Sequence, residues 1–507
     1  MSLNGSMSLL DKSFHAYEIQ LCMGKNSFWI FTMHLKKTIL LIGMGVVLAT
    51  TSAFSQTKPN VLLISIDDLN DWVGCLSGHP QAKTPNIDRL AKMGTLFSNA
   101  HCQSPVCNPS RASMMTGRYP HTSGVYFLSP ELRQAPVLKD LKTLPEVFAD
   151  HGYKTMAAGK IFHGGGNARF FQDYLSTGGF GPLPKTKISQ LHGHKLWDWG
   201  IFPMDNNDEV MPDIKCAKWA VGKLQEKHQK PFFMGVGFYR PHVPLYVSRK
   251  WFDLHPLDTI KLPVVQQGDT GDLSQYAIDL TSLKHVAPTH QWITEAGQWE
   301  HAVQSYLASI TFVDHCLGLV LDALEKSAYA NNTIVVLFSD HGFHMGEKER
   351  WAKRSLWEDG TRVPLIVAAP GQQANQRSTR PAELLDVFPT LLELAGLPAD
   401  PGQEGQSLVP LLESPNKAWN HPAITSFGLG NYSIRSTRYR YIQYLDGSRE
   451  LYDHSQDPHE WNNLSADPQM EAVMKEHAAF IPLKQHPILP GKSTGHNAYA
   501  AANAGIK

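Results

Sequence analysis

The run Cys107-Asn108-Pro109-Ser110-Arg111-Ala112-Ser113-Met114-Met115-Thr116-Gly117-Arg118 concentrates more potential chemistry than any other stretch of the chain. It places a thiol at the expected start of a helix, with Pro109 suited to the first turn and Arg111 one turn from Cys107 on the same face. The N-terminus of a helix favours negative charge, so such a position could hold an oxyanion or an ester sulfate. A Cys-x-Pro-x-Arg pattern by itself describes a buried cysteine ahead of an ordinary helix equally well.

Two further pairs, Asp67-Asp68 and Asp340-His341, each come directly after an apolar run. The carboxyl ends of strands are where open α/β sheets place their ligand sites. Three carboxylates make an oxygen-rich donor set, which suits Ca²⁺ or Mg²⁺ better than zinc. His341 adds an imidazole, a poor Ca²⁺ ligand in general. His163, three residues after Lys160, and His242 could carry protons near neutral pH. With 24 His in the chain, most serve packing, and isolated cations such as Lys160, Lys353, Arg240, Arg350 and Arg354 read as surface charge until a motif says otherwise.

These residues need a frame, and the sequence supplies α/β alternation. Residues 60–66, 154–158, 232–236, 333–338 and 363–369 are short apolar runs, the pattern of strands buried on both faces of a mainly parallel sheet. Helices are expected from Pro85 through Met93, over 301–326 and over 384–395. Residues 257–299 are polar and read as an irregular insertion near the substrate entrance. After residue 413 the texture becomes short, Tyr-rich and alternating, as in Tyr439-Arg440-Tyr441-Ile442-Gln443-Tyr444, which suggests a small antiparallel sheet. The expected organisation is a leader and signal peptide at 1–55, a catalytic domain at 56–413 and a small α+β domain at 414–507.

The Cys107–Gly117 run resembles the sulfatase signature, in which the cysteine is oxidised to Cα-formylglycine by a formylglycine-generating enzyme. The resemblance extends to Pro59-Asn60-Val61 through Asp68, Thr84 through Ala91, Gly152-Tyr153-Lys154-Thr155 with Gly159-Lys160, Ser339-Asp340-His341-Gly342 and the tail around Glu450-Leu451-Tyr452-Asp453. Arg240-Pro241-His242-Val243-Pro244 and Trp351-Ala352-Lys353 are most similar to the iduronate-2-sulfatase branch. The resemblance implies the alkaline phosphatase superfamily fold: a large mixed, mainly parallel sheet flanked by helices. It also implies a divalent ion, Ca²⁺ or Mg²⁺, held by Asp67, Asp68, residue 107, Asp340 and His341. Cys107 as a formylglycine hydrate would attack sulfur, while Arg111, Lys160 and Lys353 hold the modified residue and the sulfate. His242 would protonate the leaving oxygen, and His163 would help take the proton from the hydrate. The substrate implied is a 2-O-sulfated uronic acid, saturated or unsaturated, at the end of a heparin or heparan fragment, with Arg240, Arg350 and Arg354 as candidate partners for its acid group.

Composition limits the alternatives. The 507 residues carry 46 Lys+Arg against 46 Asp+Glu, a balance that argues against a nucleic-acid binder working by bulk charge. Lys36-Lys37, an apolar run from Thr38 to Thr50 and the small-residue site near Ser55 describe a secretory signal, with Met33 as a candidate start and a periplasmic or secreted destination. No later apolar run reads as a membrane span. Of six Cys, Cys22 falls in the leader, leaving an odd five; Cys75, Cys216 and Cys316 are expected as buried thiols. Choline sulfate, aryl sulfate and other sulfated sugars remain competing substrates. A phosphatase or phosphonate hydrolase and a sugar-binding pseudo-sulfatase are the competing classes.

Overall fold

The computed structural model describes residues 58–164, 167–191, 196–202, 207–282 and 286–504. The expected leader, signal segment and cleavage site therefore lie outside the described residues. Lys58–Lys507 cluster as one compact unit.

An eight-stranded sheet runs through it in the order Gln376–Ser378, Thr95–Phe97, Leu365–Ala368, Thr333–Ser339, Asn60–Ile66, Phe232–Phe238, Lys154–Gly159, Asp173–Leu175. Leu365–Ala368 alone runs against its neighbours on both sides. The sheet is thus mixed and mainly parallel, as the apolar runs imply. The central strand explains why those runs are unbroken. Leu62, Ile64 and Ile66 pack into one hydrophobic cluster, with the Trp299–Glu325 helix. Val61 and Leu63 face a second cluster, with the Cys107–Thr116 and Val387–Leu394 helices. Side chains alternate between faces with a period of two, so a strand covered on both sides must be apolar at every position.

Trp299–Glu325 is the one helix among the described residues long and apolar enough to cross a membrane, and most of its apolar stretch is buried in the core. The expected 384–395 helix is a short 3₁₀ turn, Leu384–Asp386, leading into Val387–Leu394. The insertion at 257–299 is more ordered than its polar sequence implies: it forms helices Gln275–Thr281 and His290–Glu295, capped by the Ser274 and Thr289 hydroxyls. Toward the C-terminus, Ala423–Ser426, Tyr432–Arg435, Tyr439–Gln443 and Arg449–Asp453 form the expected antiparallel sheet. Its Arg440 pairs with Glu358 and Glu460, and Trp357 Nε1 donates to Glu450 Oε2 at 2.7 Å, tying it to the loop beyond Lys353. Cys75, Cys102, Cys107, Cys216 and Cys316 are free thiols, all buried except half-buried Cys75.

Candidate active site

Parallel register decides which side chains meet. Ile66 pairs with Ser339, so Asp67 and Asp340 emerge side by side from adjacent strands. Across the other edge, Ser65 pairs with Gly237 and Gly237 with Gly159, bringing Lys160 and the Tyr239–His242 turn to the same end. The Cys107–Thr116 helix supplies the remaining wall. All ten of its residues are buried, no side chain caps its start, and Gly117 closes it in the left-handed conformation at φ 66°. Its first residue, Cys107, stands in the cluster, 3.2 Å from His341 Nε2, at a helix start that no side chain caps.

Arg111 is the hub. Its Nε donates to Asp340 Oδ2 at 2.8 Å, Nη2 to Asp67 Oδ1 at 3.3 Å, and Nη1 to the Lys160 and Ile161 carbonyls at 2.6 and 3.0 Å. A guanidinium this buried is tolerable because its fork is satisfied and both carboxylates are neutralised. Lys160 completes the pairing of Asp67. Burial alone would raise the Asp340 carboxyl, yet Arg111, His341 and Lys160 hold it well below the usual carboxylate range.

Around Cys107 the geometry is tight. Lys353 Nζ lies 3.1 Å and His341 Nε2 3.2 Å from its sulfur, and Asp68 Oδ1 is 4.0 Å away. Burial raises the Cys107 pKa despite Lys160 and Lys353, so the unmodified side chain is a thiol rather than a thiolate. Asp68 sits in the left-handed region at φ 61°, a local strain that turns its carboxylate toward the sulfur. Tyr306, from the long core helix, holds that turn by donating to the Asp68 carbonyl at 2.7 Å. Nothing in the sequence pattern distinguishes Tyr306 from its apolar neighbours.

The donor set fits a divalent cation. Asp67, Asp68, Cys107 and His341 present ligand atoms within 4.8 Å of one another. Asp68 Oδ2 is buried without a hydrogen-bond partner, and burial lifts the Asp68 carboxyl to about 7. His341 Nδ1 lies 3.0 Å from the Gly342 carbonyl, which places the ring proton there and leaves the Nε2 lone pair facing Asp68 Oδ1 at 3.3 Å. Lys353 donates to Asp68 Oδ1 at 2.6 Å, and the partnerless Asp68 Oδ2 and the His341 Nε2 lone pair are donor atoms that a second cation could use. Three carboxylates face three cations here, so a divalent ion would leave a net positive centre for an anionic ester.

His242 joins from the opposite side. Its Nδ1 lies 2.6 Å from the Val243 carbonyl, and its Nε2 is 3.8 Å from Asp68 Oδ2. Phe180 stacks on the ring at 4.7 Å, and Asp213 holds the turn by accepting the Tyr239 N–H at 2.6 Å. Burial, then Lys353 and Lys160, press the His242 pKa well below its ordinary value. His163 stands further back, in a small cleft with Asn108, Phe162 and Phe170. Burial and the nearby Lys160, Arg111 and Lys353 press its pKa to about 3, so it is neutral.

Arg240 does not join them. Its guanidinium donates to the Tyr246, Phe180 and His242 carbonyls, a backbone cage on the far side of the turn. Arg354 and Arg350 line, with Lys353, a cleft of about 220 Å³ beside the cluster.

A sequence model of the sulfatase family matches residues 59–397, across the whole of this centre.

The chain belongs to the sulfatase family.

A second family model, described as N-sulphoglucosamine sulphohydrolase, C-terminal, matches residues 346–484 of the sulfatase. A protein named sulfatase from Formosa agariphila is 39% identical to it over 464 residues, which are 87% of this chain and 91% of the relative. Mouse iduronate 2-sulfatase is 30% identical, covering 76% of this chain and 84% of the relative. The Delta 4,5-hexuronate-2-O-sulfatase of Bacteroides thetaiotaomicron is also 30% identical, covering 86% and 91%. A solved structure described as a 2-O GAG sulfatase superposes with a TM-score of 0.66 at 26% identity, over 84% of this chain and 91% of that one. The enzyme is a sulfuric ester hydrolase with the fold expected of its superfamily.

Proposed function

We propose that this sulfatase removes the 2-O-sulfate of a uronic acid at the end of a glycosaminoglycan fragment. The observation that carries the chemistry is the Cys107 sulfur enclosed by Lys353, His341 and Asp68 at the uncapped start of a buried helix. Support for the substrate comes from the relatives named iduronate 2-sulfatase and Delta 4,5-hexuronate-2-O-sulfatase, each 30% identical over most of its length.

Conversion of Cys107 to Cα-formylglycine by a maturing enzyme would supply a hydrated aldehyde oxygen as the nucleophile that the buried thiol cannot provide. Asp67, Asp68, Asp340 and His341 would hold a Ca²⁺ or Mg²⁺ ion, which neutralises charge on the sulfate oxygens. Lys353 and Lys160 place two fixed ammonium groups beside residue 107, where negative charge builds as the S–O bond breaks. They are preorganised by Asp68 and Asp67, so they need no rearrangement during the step. Arg111 touches no open space; it fixes the Asp67 and Asp340 carboxylates.

With Nδ1 on the Val243 carbonyl, Nε2 is the nitrogen that faces the centre, and in the imidazolium form it would donate the proton that the departing sugar oxygen requires. Burial disfavours that imidazolium most in the free enzyme, then Lys353 and Lys160, and the anionic ester offsets the two cations. Burial, then Lys160, Arg111 and Lys353, oppose imidazolium at His163, so it would take the proton released on the nucleophile side only with the negative charge of the sulfate beside it.

Export to the periplasm or medium accompanies this proposal, on the strength of Lys36-Lys37 and the apolar run after them. Protein produced with a maturing enzyme should desulfate a defined 2-O-sulfated uronate disaccharide faster than 6-O- or N-sulfated ones. A preference for choline sulfate or aryl sulfate would replace the uronate assignment.

A further inference from the structure

We propose that Arg354, seconded by Arg350, is an anion receptor for the carboxylate of the substrate sugar, in the cleft next to Lys353. This rests on the uronate reading and names the residues that would make it selective.

Arg354 is buried, with 5% of its surface exposed, yet its Nε and Nη1 have no hydrogen-bond partner among the described residues. Among the described residues its one hydrogen bond is a long one, from Nη2 to Thr494 Oγ1 at 3.4 Å. The other arginines buried around this centre are matched: Arg111 has two carboxylates and two carbonyls, and Arg240 has three carbonyls. No described carboxylate pairs with Arg354, and burial draws its pKa down to about 10, so it is still a cation at neutral pH. A planar fork of N–H donors held this way matches a carboxylate bidentately.

The backbone is set to present it. Arg354 lies in the left-handed region at φ 81°, as do Ala352 at 75°, Lys348 at 50° and Glu349 at 56° in the loop before it. Non-glycine residues adopt this conformation only under constraint, and such strain collects where side-chain direction matters. Lys353, between two such residues, points to the Cys107 sulfur. Arg354 and Arg350 share the neighbouring cleft with Thr281, Pro288 and His290. Arg350 donates through Nε to Thr281 Oγ1 at 2.9 Å, and its Nη2 likewise has no partner. An ester with its sulfur at residue 107 therefore extends its sugar into a cleft bearing two incompletely paired guanidinium groups.

The segment behind Arg354 lies outside both family models, which end at residues 397 and 484. Thr494 begins a helix, Thr494–Ala502, whose Tyr499 packs on Phe127 with ring centroids 5.6 Å apart. The Phe127 carbonyl accepts the Asn108 side chain, next to Cys107, at 2.8 Å. The wall that orients Arg354 is thereby continuous with the helix that carries residue 107.

The test compares kcat/KM for a 2-O-sulfated uronate disaccharide and its carboxyl-reduced counterpart, in wild type, Arg354→Gln and Arg350→Gln. Charged hydrogen bonds of this kind predict a wild-type preference of about 10- to 100-fold for the intact acid. In Arg354→Gln the preference should fall below about threefold, and in Arg350→Gln it should fall part of the way; melting curves of both variants verify folding. A wild-type ratio near one, or an unchanged ratio in Arg354→Gln, overturns the proposal. If wild type cleaves nitrophenyl sulfate but neither disaccharide, the uronate reading fails. The receptor is then decided by glucuronate inhibition of nitrophenyl sulfate turnover: about tenfold weaker inhibition in Arg354→Gln supports it, and equal inhibition overturns it.

Discussion

Lys353 Nζ donates to Asp68 Oδ1 at 2.6 Å while lying 3.1 Å from the Cys107 sulfur, so a single ammonium spans the proposed nucleophile and the Asp68 carboxylate. Burial would lower its pKa, but Asp68 and then Cys107 and Asp67 raise it instead, and it remains charged throughout the working range. Replacing it removes one fixed charge from the reacting centre. Lys353→Met should lower kcat by about 10²–10³-fold, with the chain still folded by circular dichroism. A loss below tenfold would show that Lys353 merely neutralises Asp68.

Asp340 accepts from Arg111 Nε and from the Asp68 backbone N–H at 3.2 Å, besides facing His341. Asp340→Asn should reduce both divalent-ion content and turnover, and should cost about 3–5 kcal/mol of stability by leaving Arg111 short of a buried partner. Because the folded carboxyl lies below its ordinary 3.8, its contribution is complete above that value and fades as pH falls through the folded pKa. The variant should therefore show a shallower acid limb than wild type in melting temperature against pH. Elemental analysis finding two zinc ions per wild-type chain would contradict the hard-cation assignment.

Gly237 has no side chain because none fits. A Cβ there would collide with the backbone of Lys160, just past the neighbouring strand Lys154–Gly159. Gly237→Ala should displace Lys160 and the Ile161 carbonyl that Arg111 binds, cutting kcat well beyond its effect on KM. Unchanged kinetics would mean that the Lys160 loop has more freedom than its hydrogen bonds imply.

His242 is read as the proton donor, and a donor's loss depends on the leaving group. A sugar alkoxide needs a proton, whereas nitrophenolate departs without one. His242→Ala should cost about 10²-fold or more in kcat/KM on the uronate disaccharide and far less on nitrophenyl sulfate. Equal losses would make His242 a binding residue.

Much of this centre is legible in the sequence because the local code and the tertiary frame agree. Asn60–Ile66 and Thr333–Ser339 are covered on both faces, so their apolar runs are unbroken, and the acids directly after them must lie at the sheet's carboxyl end. Arg111 is legible from its spacing to Cys107 on one helical face. Strand direction is another matter: Leu365–Ala368 is as apolar as its parallel neighbours, and only its pairing reveals that it runs the other way. Side-chain direction after a strand is equally hidden. Arg240 and His242 stand two residues apart in one turn, yet one enters a cage of carbonyls and the other faces Asp68. The 257–299 region is polar because its helices are short and half exposed, so their Ser274 and Thr289 caps carry the signal that hydrophobic periodicity lacks. Tyr306, bonded to the Asp68 carbonyl and the Asn70 N–H, and Thr494 act over long sequence separations, which no local pattern encodes.

The formylglycine mechanism is decided by desulfation of a 2-O-sulfated uronate disaccharide by protein made with and without a formylglycine-generating enzyme, with the residue-107 peptide read by mass spectrometry in both samples. The mechanism predicts turnover in proportion to the fraction of residue 107 carrying the aldehyde or its hydrate, and none in Cys107→Ala. Full turnover by protein in which residue 107 is an unmodified cysteine, or by Cys107→Ala, would contradict it.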